Sequence, residues 1–275
     1  MILATGATGN VGRHVVTLLL EAGEKVRAIS RDPATAGLPD GVAVLEGDLR
    51  RPETLPAALS GVDRAYLFPV HDALGDFLTG AREVGVGRIV LLSSMAVNFG
   101  VGNEIARWHA ESERAVLDSG LPWTFLRPGA FMVNDLGWAH SIRADGVVRA
   151  AYGDSASAPI DERDIAEVAV RALLDDGHEG QAYTLTGPAS HTQVERVRIL
   201  GGVLGRELRF EELSREAARR EMERFMPPEI SEVLVELLAS TVGTTAEIEP
   251  AVERILGRAG RSYAEWAGRW AGEFR

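Results

Sequence analysis

The chain has 275 residues, 45% of them apolar, enough for one large core or for one and a half domains. Its 40 acidic residues outnumber 29 basic ones, and the net charge of −11 argues against nucleic acid or an anionic membrane as the main partner. There is no cysteine, which excludes disulfides and thiolate metal sites. With no membrane-length apolar run and no signal-peptide pattern, a cytoplasmic location is expected.

The first predicted element is a very short strand, Met1 to Ala4. It runs into Thr5-Gly6-Ala7-Thr8-Gly9-Asn10-Val11-Gly12-Arg13 and then a helix over Val11 to Ala22. Strand, glycine turn and helix in that order place the unpaired N–H groups of a helix N-terminus where a pyrophosphate can sit. Gly6 allows the sharp turn, Gly9 the approach of backbone to phosphate, and Gly12 close packing of helix on strand.

A second strand, Lys25 to Arg31, ends in a basic residue. An acid at this strand end would accept from the ribose 2′-OH of NAD, whereas an arginine suits the 2′-phosphate of NADP. Arg31 precedes Asp32 here, so NADP(H) is expected, with Arg13 as a second nearby charge. After a loop over Pro33 to Gly41 comes a third strand, Val42 to Leu49, and a short helix, Pro52 to Leu59. Then follow a strand Ala65 to Phe68, a helix Asp72 to Val84, and a nearly continuous apolar strand, Arg88 to Ser94, of the kind found at the centre of a parallel sheet. A helix Asn103 to Ser119 and a strand Trp123 to Gly129 complete an alternation that predicts a Rossmann-like, doubly wound parallel α/β sheet.

Past Gly129 the rhythm changes. Ala130 to Ser141 is mixed, Val147 to Tyr152 reads as a strand, Glu162 to Asp175 as a helix and Gln181 to Gly187 as a strand. His191 to Leu204 reads as a helix and Leu208 to Phe210 as a short strand. The remainder is mostly helical, and its last helix carries Trp266 and Trp270. The expected division is a cofactor-binding part over 1–130, rejoined by 159–187, and a smaller, mostly helical substrate part over 131–275. Phe131, Met132, Trp138 and the tail aromatics are expected to line an apolar pocket. The spacing of Asp161 and Asp164 before an apolar helix suits capping better than paired-acid chemistry. No metal is expected, since His178-Glu179 lacks a second histidine at a useful interval.

Several stretches together resemble the NmrA-like branch of the short-chain dehydrogenase/reductase superfamily. They are Gly6 to Gly12, Ser93-Ser94, Leu126-Arg127-Pro128-Gly129-Ala130-Phe131-Met132-Val133-Asn134, Asp161 to Ala166 and Tyr183 to Pro188. The resemblance implies a Rossmann fold, bound NAD(P)H and a small C-terminal substrate domain. Members include quinone and triphenylmethane-dye reductases, isoflavone-type reductases and redox-sensing regulators. It places Gly6, Thr8, Gly9, Asn10, Val11 and Gly12 on the pyrophosphate, Ser30 and Arg31 at the adenosine ribose or its phosphate, and Asp48 and Leu49 at the adenine. Phe68 and Pro69 would line the ribose path, while Ser93 and the Pro128–Phe131 segment would flank the nicotinamide.

Ordinary members of the superfamily use a Ser/Tyr/Lys set in which lysine lowers the tyrosine pKa. This chain cannot supply it: Lys25 is its only lysine, and no tyrosine lies between Tyr66 and Tyr152. Aligned to the family helix, Ile105 takes the tyrosine position and His109 the lysine position, and the serine position falls on Met95 or, with a slip, Ser94. Hydride transfer needs mainly geometry, and proton donation matters less when the acceptor delocalises the arriving charge. The expected function is therefore NADPH-dependent reduction of a conjugated small molecule such as a quinone, an enone or a dye. The alternatives are a cyclase or isomerase on the same shell, and a cofactor-sensing regulator with a protein partner. Candidate catalytic residues are His109, which could also touch the nicotinamide ribose, Asn134 and Tyr152. Oligomeric state is not readable, and a homodimer is left open.

Overall fold

In the computed structural model, which describes residues 1–100 and 103–275, the alternating elements build one parallel sheet. Its first half contains β1 (Ile2–Ala4), α1 (Gly12–Glu21), β2 (Val26–Ser30), β3 (Ala43–Glu46), α2 (Leu55–Leu59), β4 (Arg64–Leu67), α3 (Gly75–Glu83) and β5 (Arg88–Leu92). Then come α4 (Glu104–Ser119), β6 (Trp123–Pro128), α5 (Ala139–Asp145), β7 (Val147–Ala150), β8 (Ala156–Ser157), α6 (Glu162–Leu174), β9 (Gln181–Leu185), β10 (His191–Thr192), α7 (Gln193–Leu204) and β11 (Arg209–Glu212). The last four elements are α8 (Arg215–Met222), α9 (Pro228–Ser240), α10 (Ala251–Leu256) and α11 (Tyr263–Arg269).

Among the described residues the main sheet has seven strands in the order β3-β2-β1-β4-β5-β6-β9. The order reverses between β1 and β4, and a ligand crevice opens at the carboxyl ends of such a pair. Alternate residues of each strand face opposite sides. Ile2, Ala4, Val26, Ala28, Tyr66, Val90 and Leu126 join a core with α1 and α6. Leu3, Ile29, Ala65, Leu67, Ile89, Leu91 and Phe125 join one with α2, α3 and α4. A third core, away from the sheet, gathers Met132, Ile142, Val148, Val197, Leu200, Tyr263, Trp266 and Phe274.

Several boundaries differ from the sequence expectation, for local reasons. The helix expected from Asp72 starts at Gly75, and Asp72 itself takes a left-handed turn with φ 59°. The helix expected over Pro52 to Leu59 opens with a 3-10 turn, Pro52–Thr54. The helix expected from His191 begins at Gln193, because Thr192 and Glu195 form a capping box and leave His191 to pair with Ser157. The strand expected to reach Tyr152 ends at Ala150, and Tyr152 turns left-handed with φ 62°, its N–H held by Glu212. Trp270 lies just past the end of α11.

Asp161 does cap α6, accepting from the Arg163 N–H at 2.9 Å. Its other oxygen takes Arg269 from the tail. Asp164 is no cap. It is fully buried and accepts from Arg258 (2.8 Å) and from the Arg261 side chain and N–H. Glu167 joins them. Burial raises its carboxyl, but hydrogen bonds from Arg261 and Arg258 outweigh that and hold it below the usual range. The acids that open α6 thus strap the C-terminal tail to the helix packed on the main sheet. Of the tail aromatics, Tyr263, Trp266 and Phe274 pack into the third core with almost no exposure, while Trp270 lines a small cavity with His14 and Glu162.

Candidate active site

The glycine turn sits at the carboxyl end of β1, next to the end of β4. Gly6 has φ 59°, and a Cβ there would lie 2.6 Å from the Phe68 side chain, so Phe68 seals the turn from the β4 side. The Phe68 N–H donates to Thr5 Oγ1 at 2.7 Å. At Gly12 a Cβ would lie 2.2 Å from the Gly6 carbonyl oxygen. The helix therefore presses directly on the turn. Thr8, Gly9 and Asn10 are exposed at the tip, while Val11 is buried. No side chain caps α1, and no acid lies in its first turn. Free N–H groups without a competing carboxylate suit a diphosphate.

At the end of β2, the Ser30 hydroxyl donates to the Asp32 carbonyl. The Asp32 carboxylate is occupied locally, accepting from the Ala34 N–H at 3.1 Å and the Thr35 hydroxyl at 2.8 Å. Arg31 is exposed, and its guanidinium has no hydrogen-bond partner among the described residues. Beyond β3, Asp48 accepts from the Arg50 N–H at 2.9 Å and Leu49 is buried in the core. Phe68 is 44% exposed, which leaves a ring face open at the crevice, and Pro69 beside it is half-buried.

The far side of the crevice is formed by the ends of β5 and β6. Pro128 is buried at the end of β6. A Cβ on Gly129 would lie 2.7 Å from Met95 Sδ, so the 95 and 129 segments touch. Phe131 bridges to Ile160, and the Met132 N–H donates to the Ile160 carbonyl at 2.9 Å, which extends β6 toward α6. Ser93 is buried, and its hydroxyl donates to Glu113 Oε1 at 2.6 Å. Arg127 donates to the same carboxylate through Nε (2.8 Å) and Nη2 (2.6 Å), which pushes the guanidinium pKa above its ordinary value. Sequence reasoning gave no cause to single out Glu113. The available signal was its position four residues after His109, on the same helix face.

His109 lies on α4, half-buried, and its Nδ1 is fully buried without a partner among the described residues. Burial lowers its pKa and the Glu113 carboxylate opposes that, with a net fall below the usual histidine value. The imidazole is therefore neutral at physiological pH. A buried ring nitrogen with no partner suits a group that brings its own hydroxyls.

Asn134 is exposed in the 3-10 turn Met132–Trp138, with its amide unpaired among the described residues. Tyr152 is half-buried in the smaller part, near Glu212 and Gln193. His178 pairs with the Tyr183 hydroxyl at 2.9 Å. The fold gathers one exposed group the sequence could not reveal. His71 presents its two ring nitrogens to Asp72 (2.9 Å) and Glu111 (3.4 Å). A cavity of about 560 Å3, lined by Val197, Gly201, Leu208 and Phe210, lies against α7, away from the sheet edge.

Comparison with known proteins agrees with this geometry. Residues 6–176 match the model of a family described as NAD(P)H-binding. The chain is 42% identical over its whole length to a (4-alkanoyl-5-oxo-2,5-dihydrofuran-3-yl)methyl phosphate reductase of Streptomyces griseus, 99% of which is covered. It is 37% identical, with 100% of this chain and 99% of the relative covered, to an NAD(P)H azoreductase of Xenophilus azovorans. Among solved structures, the NADPH complex of an NADPH-dependent quinone oxidoreductase from Escherichia coli superposes with a TM-score of 0.84 at 25% identity, covering 98% of this chain and 100% of that one. Among the described residues no helix is long and apolar enough to cross a membrane. The chain belongs to the NAD(P)H-binding family, in its NmrA-like branch, and is an NAD(P)H-dependent oxidoreductase.

Proposed function

We propose that the chain reduces conjugated small molecules — quinone-, enone- or dye-like acceptors — with NADPH and without a Ser/Tyr/Lys set. One observation carries this reading. On α4, Ile105 and His109 align with the phenol and ammonium positions of the superfamily pattern, and the nearby Ser93 hydroxyl is already given to Glu113. NADPH, when bound, supplies the hydride.

The residues of the chain then bind, orient and shield. The turn Gly6, Thr8, Gly9, Asn10, Val11 and Gly12 holds the diphosphate. Ser30 and Arg31 hold the ribose phosphate, Asp48 and Leu49 the adenine, and Phe68 and Pro69 the ribose path. Ser93, His109, Pro128 and Phe131 border the nicotinamide, with His109 Nδ1 offered to a ribose hydroxyl or to the substrate. Residues 1–130 with 159–187 carry the cofactor, and the substrate lies against 131–275, within reach of Asn134 and Tyr152.

With no strong acid in place, a plain ketone would have to become a basic alkoxide unaided. A conjugated acceptor instead spreads the charge as an enolate or a quinol anion. The Streptomyces griseus relative's name describes such a compound: a ring alkene with a lactone carbonyl and an acyl carbonyl on the same alkene carbon. The test is NADPH consumption with a quinone, a 3-acyl butenolide, an azo dye and a saturated ketone. Turnover is expected with at least one conjugated acceptor and at least about a hundredfold slower with the ketone. A ketone rate equal to the best conjugated acceptor, or tight NADPH binding with no acceptor reduced, would overturn the proposal.

NADPH is favoured over NADH because Arg31 is free while Asp32 is used in its own turn. Arg31→Ala should weaken NADPH binding about tenfold or more and leave NADH within twofold, as read by calorimetry. Equal losses for the two dinucleotides would refute the phosphate assignment.

A further inference from the structure

We propose that Glu113 is the positioning residue of this site, clamping the ends of β5 and β6 and converting Ser93 from a proton donor into an acceptor. This rests on the reductase reading above and adds the element that takes the place of the missing triad.

A serine hydroxyl has one proton. In this chain Ser93 spends it on Glu113 Oε1, at 2.6 Å and inside the protein. What Ser93 still offers the crevice is a lone pair, so it does not protonate a substrate oxygen. The same carboxylate receives two N–H groups of Arg127, at 2.8 and 2.6 Å. Glu113 is 5% exposed, so this is a bidentate, charge-assisted contact with little solvent competition. Arg127 reaches onward to Asn98 Oδ1 at 2.9 Å, and the Asn98 amide donates to Thr184 Oγ1 at 3.0 Å. One side chain on α4 thereby fixes the carboxyl ends of β5 and β6, and through Asn98 the edge strand β9. Those ends lead directly into Ser93 and into Pro128–Phe131. Reaching hydride-transfer distance depends on sub-ångström placement of such walls.

The ladder next to the clamp reports on it without any cofactor. The Ser93 N–H donates to the Leu126 carbonyl at 2.7 Å and the Gly129 N–H to the Leu185 carbonyl at 3.0 Å. In Glu113→Gln, hydrogen exchange at these two amides should speed up at least about tenfold in the cofactor-free protein, while amides of β1 and β2 stay unchanged. With NADPH and the best acceptor, kcat should fall about tenfold or more, the acceptor KM should stay within twofold, and the deuterium isotope effect on hydride transfer should rise.

Ser93→Ala added to Glu113→Gln should cost nothing beyond Glu113→Gln alone, because the serine proton goes to Glu113 and not to substrate. Glu113→Gln combined with Arg127→Met replaces the partly buried ion pair by neutral groups. It should recover thermal stability but not kcat, which a merely structural role would not produce. The proposal is overturned if Glu113→Gln leaves both exchange and kcat unchanged, if Glu113→Gln with Arg127→Met recovers kcat with stability, or if adding Ser93→Ala to Glu113→Gln lowers kcat further. If the wild-type protein transfers no hydride, the reductase reading fails on its own account. The exchange rates then decide the clamp: unchanged rates overturn it, and faster rates at Ser93 and Gly129 alone support it.

Discussion

Replacing Gly12 by alanine is expected to abolish dinucleotide binding, a loss of more than about a hundredfold in affinity. The reason is steric. A Cβ at this position would stand 2.2 Å from the Gly6 carbonyl oxygen and 2.8 Å from its carbonyl carbon. Neither side can retreat. Gly6 is held by the Phe68 side chain, and α1 is anchored through Val15, Val16 and Leu19, all at zero exposure. The added methyl must lift the helix N-terminus off the turn, and forced overpacking of this kind costs about 1–3 kcal/mol in stability as well. Gly9 provides the control. A Cβ there meets the Gly6 oxygen at 3.2 Å, a tight contact but a full ångström longer than at Gly12, and the residue is exposed, so Gly9→Ala should cost less stability than Gly12→Ala. Its side chain would stand where the phosphates approach, and it too should lose NADPH. Calorimetric titration paired with thermal unfolding reads both effects. Binding of NADPH by both variants within threefold of wild type would show that the turn does not hold the diphosphate.

The largest stability effect is expected at Asp135, outside the cofactor crevice. Its carboxylate is 4% exposed and accepts Arg196 Nη1 at 2.8 Å on each oxygen, with the Tyr263 hydroxyl at 2.7 Å on Oδ2. Arg196 is itself buried and stacks on Trp138 at 5.1 Å. Three segments meet at this carboxylate: the 3-10 turn after β6, α7 and α11. Asp135→Ala leaves the arginine buried without its counter-charge, at a cost of about 3–5 kcal/mol. For a chain of this size that lowers the melting temperature by roughly 10 °C. Adding Arg196→Met should return most of the loss, because the cost lies in the orphaned charge more than in the absent pair. A single-variant loss below about 1 kcal/mol would mean that water reaches this core.

The sheet was legible because its physics is local and repetitive. Near-continuous apolar runs such as Ile89 to Leu92, separated by amphipathic helices, admit few arrangements other than a parallel sheet covered on both faces. The glycine turn was legible for a related reason: three glycines opening a helix after a strand have a steric purpose at each position, and the structure places tight contacts at Gly6 and Gly12. Helix ends were less so. The His191 boundary turned on one capping box, and the Asp72 boundary on one left-handed residue.

From composition and order alone, the chain determined a dinucleotide fold, the turn that opens it, and the absence of a tyrosine–lysine pair, since residues that are not in the chain cannot be supplied by folding. Tertiary structure decided the rest. Asp164, which read as a cap, proved to be a buried anchor for arginines nearly a hundred residues away. Trp266, one of the tail aromatics expected around an apolar pocket, packs in the core. Glu113 carried only a faint local signal, its place one turn after His109, because its importance lies in facing Ser93 and Arg127 from another element. Backbone preference and hydrophobic period act over a few residues and can be read along the chain, whereas a buried charge takes its meaning from whichever partner the fold carries to it.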